Sequence, residues 1–532
     1  MAQKKLILVI AAEQGYIRSL EENNFSAQND ILFTAITETY IPLLNLFNKL
    51  SSQNVPFKIG LVLSPVLCTL LSDPVVHQQY INALDKRIAF GDTELERNKN
   101  NPELLARTRT CLERLQKARL DFTQTYKCNL IEGFKYLAKR NYIELIPPAA
   151  TFAYLPHFAD LKEALSAQID VGLHAQRHFF GESGDGFFLP YLGWADEIEG
   201  VLRSYNINYT IVDAKSLLFA KDCPPSGIFS LARTNKNLAI FAKDNETPSD
   251  IADFNNRNKG FAASPVYLNP YEDIGFDLNN EELSEFLGIG KVRVQTGFKY
   301  KANDSSIYSE IKAGEQVKKD ALAFFSSKKE KLDKALPLLD GKDAILTCTI
   351  PAEFIGQIWH EGVSFIEQVI RLAYEDSKKD DGVALSLCRD NIENQFSLPK
   401  TTLYPCGENG FGYGEYLLDN SNSYMYRHVR TAMERAIDMA ERFPNETGLK
   451  ARLLNMGARE AILAQSGDWP EMMHEQRIPE FVEEQFKNFI LSFTTVFDSL
   501  ASNTVSTEWL TTMEKKHAIF PWLNYNVFSH KK

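Results

Sequence analysis

The sequence predicts an α/β chain: a parallel barrel wrapped in helices, with a helical insertion and a helical bundle towards its C-terminal end. Three observations predict it. Short apolar runs each lead through a loop into a helix over the first two-thirds of the chain, and strands that alternate with helices pair in parallel, buried on both faces. Residues 76–140 are charged at helical period, which predicts an inserted helical hairpin. From about Glu415 strands vanish and long amphipathic helices take over, which predicts a terminal bundle. The expected domains are a barrel over 1–75 and 141–400, the hairpin over 76–140 and a C-terminal helical domain over 401–532.

The first strand is KLILVI. Its apolar run from Leu6 to Ala12 ends at Glu13 with no small-x-small cleavage site after it, so it reads as a buried strand and not as a signal peptide. An amphipathic helix from about Leu32 to Leu50 and a second strand in PFKIGLVLS follow. LLARTRTCLERLQKARLDF is the clearest stripe of the hairpin. NYIELI, DGFFLP, NYTIVD, NLAIFA and AILTCTI supply the remaining strands, each close to a loop and then a helix. YMYRHVRTAMERAIDMAERF, KARLLNMGAREAILAQ and IPEFVEEQFKNFILSFTTVFDSLAS make the bundle. In a parallel barrel the chemistry sits on loops at the strand C-terminal ends, so the residues just after each apolar run are where function is sought.

Composition narrows the partners. The chain has 532 residues, 44% of them hydrophobic, ample for a large core with accessory domains. A formal net charge of -11 gives no global attraction to phosphate backbones or anionic lipid, which argues against nucleic acid and membrane surfaces. No run of about 18 apolar residues exists to span a bilayer. The seven cysteines are scattered and never spaced C-x-x-C; they read as reduced thiols of a cytoplasmic protein, not as a disulfide frame or a zinc site. No metal and no cofactor is expected.

ITETYIPLLNLF, IGLVLSPVL, QTGFKY, SGDWP and the closing FPWLNYNVF, taken in this order, resemble the branching-enzyme subgroup of glycoside hydrolase family 57. The resemblance implies a (β/α)7 distorted TIM-like barrel, an inserted helical domain and a C-terminal helical bundle. It also implies a retaining mechanism that cuts α-1,4 linkages and rejoins the chain as an α-1,6 branch. Such a mechanism needs two carboxyl groups about 5–5.5 Å apart, one to attack the anomeric carbon and one to serve as acid and then base.

Both are missing where the resemblance puts them. The family's nucleophile lies in a segment like G-I-W-L-P-E-C-A-Y; here GFFLPYLGW has Tyr191 at the glutamate. A tyrosine with a pKa near 10 is a poor nucleophile at neutral pH without an activating base, although sialidases use one. The acid/base lies in a segment like F-D-T-E-L-F-G-H-W-W-x-E-G; here IPAEFIGQIWHEG has Pro351 at the aspartate, and proline has no proton to give. IAAEQGY has Ala11 and Glu13 where the family's opening motif has two histidines, and AATFAYLP has Phe152 at a third. Cys406 stands at an expected glycan-stacking tryptophan, and Leu417 and Tyr424 at two others.

Glu13 and Glu353 are the candidates for a relocated acid. Glu13 sits at a strand end, and Glu353 lies two residues past the lost aspartate, so alternation aims both side chains to one face. Glu361 reads as a helix-start acid, and Asp196 and Glu197 as openers of the helix EIEGVLRSY. Tyr16, Tyr191, Trp194, Trp359 and Trp469 are candidates to stack on pyranose faces, with Asp468 taking hydroxyl hydrogen bonds; the alternative for the rings is that they fill the barrel mouth. His178 reads as structural, and Gly407, Glu408, Asn409 and Gly410 as a turn. No residue is assigned catalysis. Three functions follow: a non-catalytic relative that binds α-glucan, another carbohydrate or a protein partner, an active enzyme with relocated acids, and an assembly protein whose barrel is a scaffold.

Overall fold

The computed structural model describes residues 2–20, 27–252, 259–283, 293–392, 395–408, 410–502 and 504–530. Among the described residues nine strands form in chain order: β1 Lys4–Ala12, β2 Ile59–Leu63, β3 Ile143–Leu145, β4 Gly186–Phe188, β5 Tyr209–Val212, β6 Ala232–Arg233, β7 Ala239–Ala242, β8 Ala344–Pro351 and β9 Val383–Leu385. One sheet runs β3-β2-β1-β8, with β9 also pairing the start of β1; the other runs β4-β5-β7-β6. Single parallel bridges, Pro148 to Phe188 and Lys243 to Thr347, join the two. The ring therefore closes as β1-β2-β3-β4-β5-β7-β8, seven parallel strands, the distorted (β/α)7 barrel expected. The seven apolar runs read from the sequence are these seven strands. β6, only two residues and antiparallel, and β9, only three, lie outside the ring.

Alternation along the strands divides the core. Leu6, Leu8 and Ile10 of β1 face the surrounding helices, while Ile7 and Val9 turn inward with Val62, Phe188, Ile211, Phe241 and Ile345. The period of two that sets this pattern fills the lumen with side chains, so the barrel is a packed core and not a pore.

Helices Pro74–Arg97 and Pro102–Leu120 follow β2. Each begins with proline at its first turn behind a capping side chain: Asp73 accepts from the Val75 N–H, and Asn101 from those of Glu103 and Leu104. Both devices satisfy or remove N–H groups that a helix start leaves unpaired. The pair is pinned to residues 295–299 through Arg87 to the Gln295 carbonyl and Arg107 to the Lys299 carbonyl.

Five helices, Ser423–Arg442, Gly448–Ala464, Asp468–His474, Pro479–Ser502 and Thr507–Lys516, make up most of the C-terminal part. They are seated on the barrel. Thr151 donates to the Ile462 carbonyl at 2.9 Å and Gln168 to Gln465 at 2.9 Å. His178 packs on Trp522 with ring centres 4.4 Å apart, the structural place read for it. Among the described residues, no helix is long and apolar enough to cross a membrane.

Candidate functional site

The strand C-terminal ends converge under the short helix Asp468–His474. β1 and β8 pair with Ala11 directly opposite Pro351, so two of the positions singled out by the resemblance are neighbours on the sheet. Glu13 lies two residues beyond Ala11, and Glu353 two beyond Pro351. Tyr191 follows β4 in a tight turn, and Phe152 lies in the loop after β3.

Tyr191 is buried and its ring closes the mouth. Its hydroxyl donates to Glu471 at 3.0 Å. Its edge meets Phe152 at 5.5 Å and Tyr154 at 6.3 Å, and Phe152 in turn stacks on Phe188 of β4 at 6.1 Å. The aromatic layer is thus the top of the lumen core. Only glycine fits at position 467 beneath it, because a Cβ there would lie 2.5 Å from the Tyr191 ring. Phe152, Tyr191 and Leu192 all hold positive φ, near +50°. Side chains adopt that region at a cost of order 1 kcal/mol or more each, so packing here outweighs backbone preference. The cavity bounded by Tyr191, Glu408, Glu415, Tyr416, Leu417 and Glu471 is about 10 Å³, room for about one water and far short of a sugar ring.

The segments 404–408 and 410–417 are laid over the same mouth; Asn409, read as part of the turn, lies outside the described residues. Trp194 and Cys406 exchange backbone hydrogen bonds in an antiparallel bridge, the Glu408 N–H donates to the Tyr191 carbonyl at 2.8 Å, and Lys243, buried just past β7, donates to the Glu408 carboxylate at 2.6 Å.

Carboxyl groups crowd the remaining side. Burial, then Asp468, Glu471 and Glu353, push the Glu13 carboxyl well up, and its Oε2 is sealed from solvent without a hydrogen-bond partner. Burial and the Glu475 charge push Glu471 up to about 8. Burial also raises Asp468, against the hydroxyl of Ser466 that donates to it at 2.6 Å. Arg477 is the cation of the group, 3.3 Å from Glu353 and 2.8 Å from Glu475. Tyr191 is raised as well, by burial, Glu13 and Glu471. Its phenol therefore keeps its proton at neutral pH, the opposite of what activates a tyrosine nucleophile.

The structure thus brings together Glu13, Glu353, Asp468 and Tyr191. It places the other candidates in the core. Tyr16 donates to the Lys516 carbonyl at 3.2 Å. Trp194 lies beneath the Cys406 bridge. Trp359 packs on Tyr267 and Phe365 at 5.4 and 4.9 Å. Trp469 donates to the Leu463 carbonyl at 2.8 Å and packs on Phe489. All four rings are at most 2% exposed and present no face to a sugar; filling the mouth and the barrel–bundle contact is the part they play here. Glu361 accepts from the Leu268 N–H at 3.0 Å, and burial lifts it to about 7. Asp196 and Glu197 open the helix Asp196–Ser204, as read.

Sequence reasoning missed Glu471, Arg477, Tyr154 and the Lys243–Glu408 pair. Helical spacing held a signal for the first, because Glu471 lies three residues after Asp468 and shares its helix face. Lys243 was reachable by the strand-end rule. Arg477 and Tyr154 had no local signal.

The fold and this site define a distorted (β/α)7 barrel with a closed mouth and a helical C-terminal part. Residues 7–397 match the profile described as glycosyl hydrolase family 57, and residues 428–528 match that of the 1,4-alpha-glucan branching enzyme C-terminal region. The first match spans well over half the chain, and the chain belongs to glycosyl hydrolase family 57. It is similar to the alpha-amylase AmyC of Thermotoga maritima, with a TM-score of 0.90, 26% identity and full coverage of both chains. The branching enzyme of Pyrococcus horikoshii shares the fold, with a TM-score of 0.86 at 20% identity over 99% of this chain and 97% of that one. A 1,4-alpha-glucan branching enzyme of Thermococcus kodakarensis is 22% identical over 484 residues, 85% of this chain and 68% of the relative.

Proposed function

We propose that this chain is a non-catalytic member of the family that binds α-glucan without cutting it. One observation carries the reading: Tyr191 stands where the family resemblance places the nucleophile, buried, protonated and bonded to Glu471. Pro351, opposite Ala11, supplies no acid in the other place. A retaining transfer without a nucleophile and a proton donor loses both halves of its double displacement, and a cavity of about 10 Å³ admits no sugar ring. Family membership supports α-glucan as the ligand. The seven cysteines, all unpaired, support a reducing compartment such as the cytoplasm. The test is a branching assay on amylose, following iodine absorbance beside an intact family member. Constant absorbance at high protein concentration is expected; a progressive fall would refute the reading.

The Tyr191–Glu471 hydrogen bond favours one second reading, a tyrosine nucleophile with Glu471 as its base and Glu13 or Glu353 as relocated acid. It requires Glu471 ionised and the mouth open. Activity present in the native chain and lost in both Tyr191→Phe and Glu13→Gln would establish it.

A further inference from the structure

We propose that the rings of Phe219, Tyr404, Phe411 and Tyr413 form an exposed stacking platform on the outer rim of the closed mouth, and that an α-glucan chain docks there. The inference rests on the reading of the chain as a glucan binder and moves the binding site from the barrel interior to its rim.

The four rings are exposed by 64%, 38%, 85% and 62%, which is unusual for so many aromatics in one place. They belong to one surface. Phe219 meets Tyr404 edge-on with centres 6.1 Å apart, and the hydroxyls of Tyr404 and Tyr413 are 3.0 Å apart. Phe411 lies on the same short loop. An ordered backbone holds the rings out. The Tyr404 N–H donates to the Ser216 carbonyl at 2.8 Å and the Gly407 N–H to the Gly412 carbonyl at 2.6 Å. The Glu415 carboxylate accepts from the N–H groups of both Phe411 and Tyr413. Glycines 410, 412 and 414 all take positive φ, so the turn that presents Phe411 and Tyr413 is built for it.

The chemistry of the patch selects its occupant. Two flanking charges are held by the loop itself, Glu415 by its backbone N–H groups and Lys215 by the Gly410 carbonyl at 3.4 Å. The rings themselves offer exposed aromatic faces and edges with two hydroxyls on them. Neutral pyranose rings match both features, their C–H faces lying on the rings and their hydroxyls reaching the tyrosine oxygens. A linear glucan meets several rings in succession, as Phe219, Tyr404 and Tyr413 offer them. These positions differ from Cys406, Leu417 and Tyr424, which stand at the family's tryptophans. The rim would therefore hold glucan independently of the interior that this chain has closed.

The test is affinity electrophoresis of the full chain through gels containing amylose, with Phe411→Ala, Tyr413→Ala, their double variant, Phe219→Ala on a separate element, and Ile311→Ala as an exposed control away from the platform. Amylose is expected to retard the native chain and Ile311→Ala equally. Each ring removed should weaken binding about two- to tenfold, and the double variant by roughly the product. Retardation that survives in the double variant and in Phe219→Ala would overturn the platform and leave glucan binding standing. No retardation of the native chain would overturn glucan binding itself.

Discussion

Replacing Tyr191 by alanine tests whether the barrel mouth is a packed core. The ring is 5% exposed, lies against Phe152 and Gly467, and donates to Glu471. Truncating a buried aromatic costs about 3–5 kcal/mol, and losing the hydrogen bond adds about 0.5–1.5 kcal/mol. The left-handed backbone gives nothing back, since alanine suffers there as tyrosine does. The expected loss is therefore about 4–6 kcal/mol. An unfolding entropy of about 2.1 cal/mol/K per residue over 532 residues makes each degree of Tm worth about 1.1 kcal/mol, so Tm should fall by about 4–5 °C. Differential scanning calorimetry measures this directly. A fall under about 1 °C would mean that the ring is not packed, that the mouth is open, and that the steric half of the case against catalysis is wrong.

Tyr191→Phe keeps the ring and removes only the hydroxyl; a loss of about 0.5–1.5 kcal/mol in urea unfolding is expected. Glu471 and Glu361, raised to about 8 and about 7, keep their protons in the folded chain where the unfolded chain has lost them. Between about pH 4.5 and 8 the folded state thus binds more protons, and stability falls as pH rises through that window. The fall should be shallower in Glu471→Gln, read from Tm at pH 5 and pH 8. Glu408→Gln strands the buried Lys243 ammonium; the cost should lie towards the lower end of the about 3–5 kcal/mol for breaking a buried pair, because Glu408 is partly exposed. Limited proteolysis should then cut the loop 404–417 faster than in the native chain.

The seven barrel strands were legible because each is a short apolar run followed by a loop and helix, a signal that survives without tertiary knowledge. β6 and β9 were not, since two or three residues carry no period. Tyr191, Pro351 and Phe152 were singled out because they sit inside motifs with matched flanks, and the structure puts Ala11 opposite Pro351. Which aromatics face a ligand was not legible. Trp359 is covered by Tyr267, 92 residues away, and Trp469 by Phe489 of another helix; no local pattern encodes such coverage. Glu471 and Lys243 had sequence signals that went unread. The exposed rings of Phe411 and Tyr413 had none, because exposure is decided by how the loop is folded back on Trp194 and Glu415.

The central claim, that Tyr191 has replaced the nucleophile without inheriting its chemistry, is tested most directly with an α-glucosyl fluoride. Its leaving group departs without acid help, so the missing proton donor at Pro351 no longer matters and only a nucleophile is required. Incubation followed by intact-mass spectrometry should return the unmodified chain, with fluoride release no faster than in buffer. A hexosyl adduct on the chain would contradict the account, and the peptide carrying it would name the nucleophile, Tyr191 or one of the acids around it.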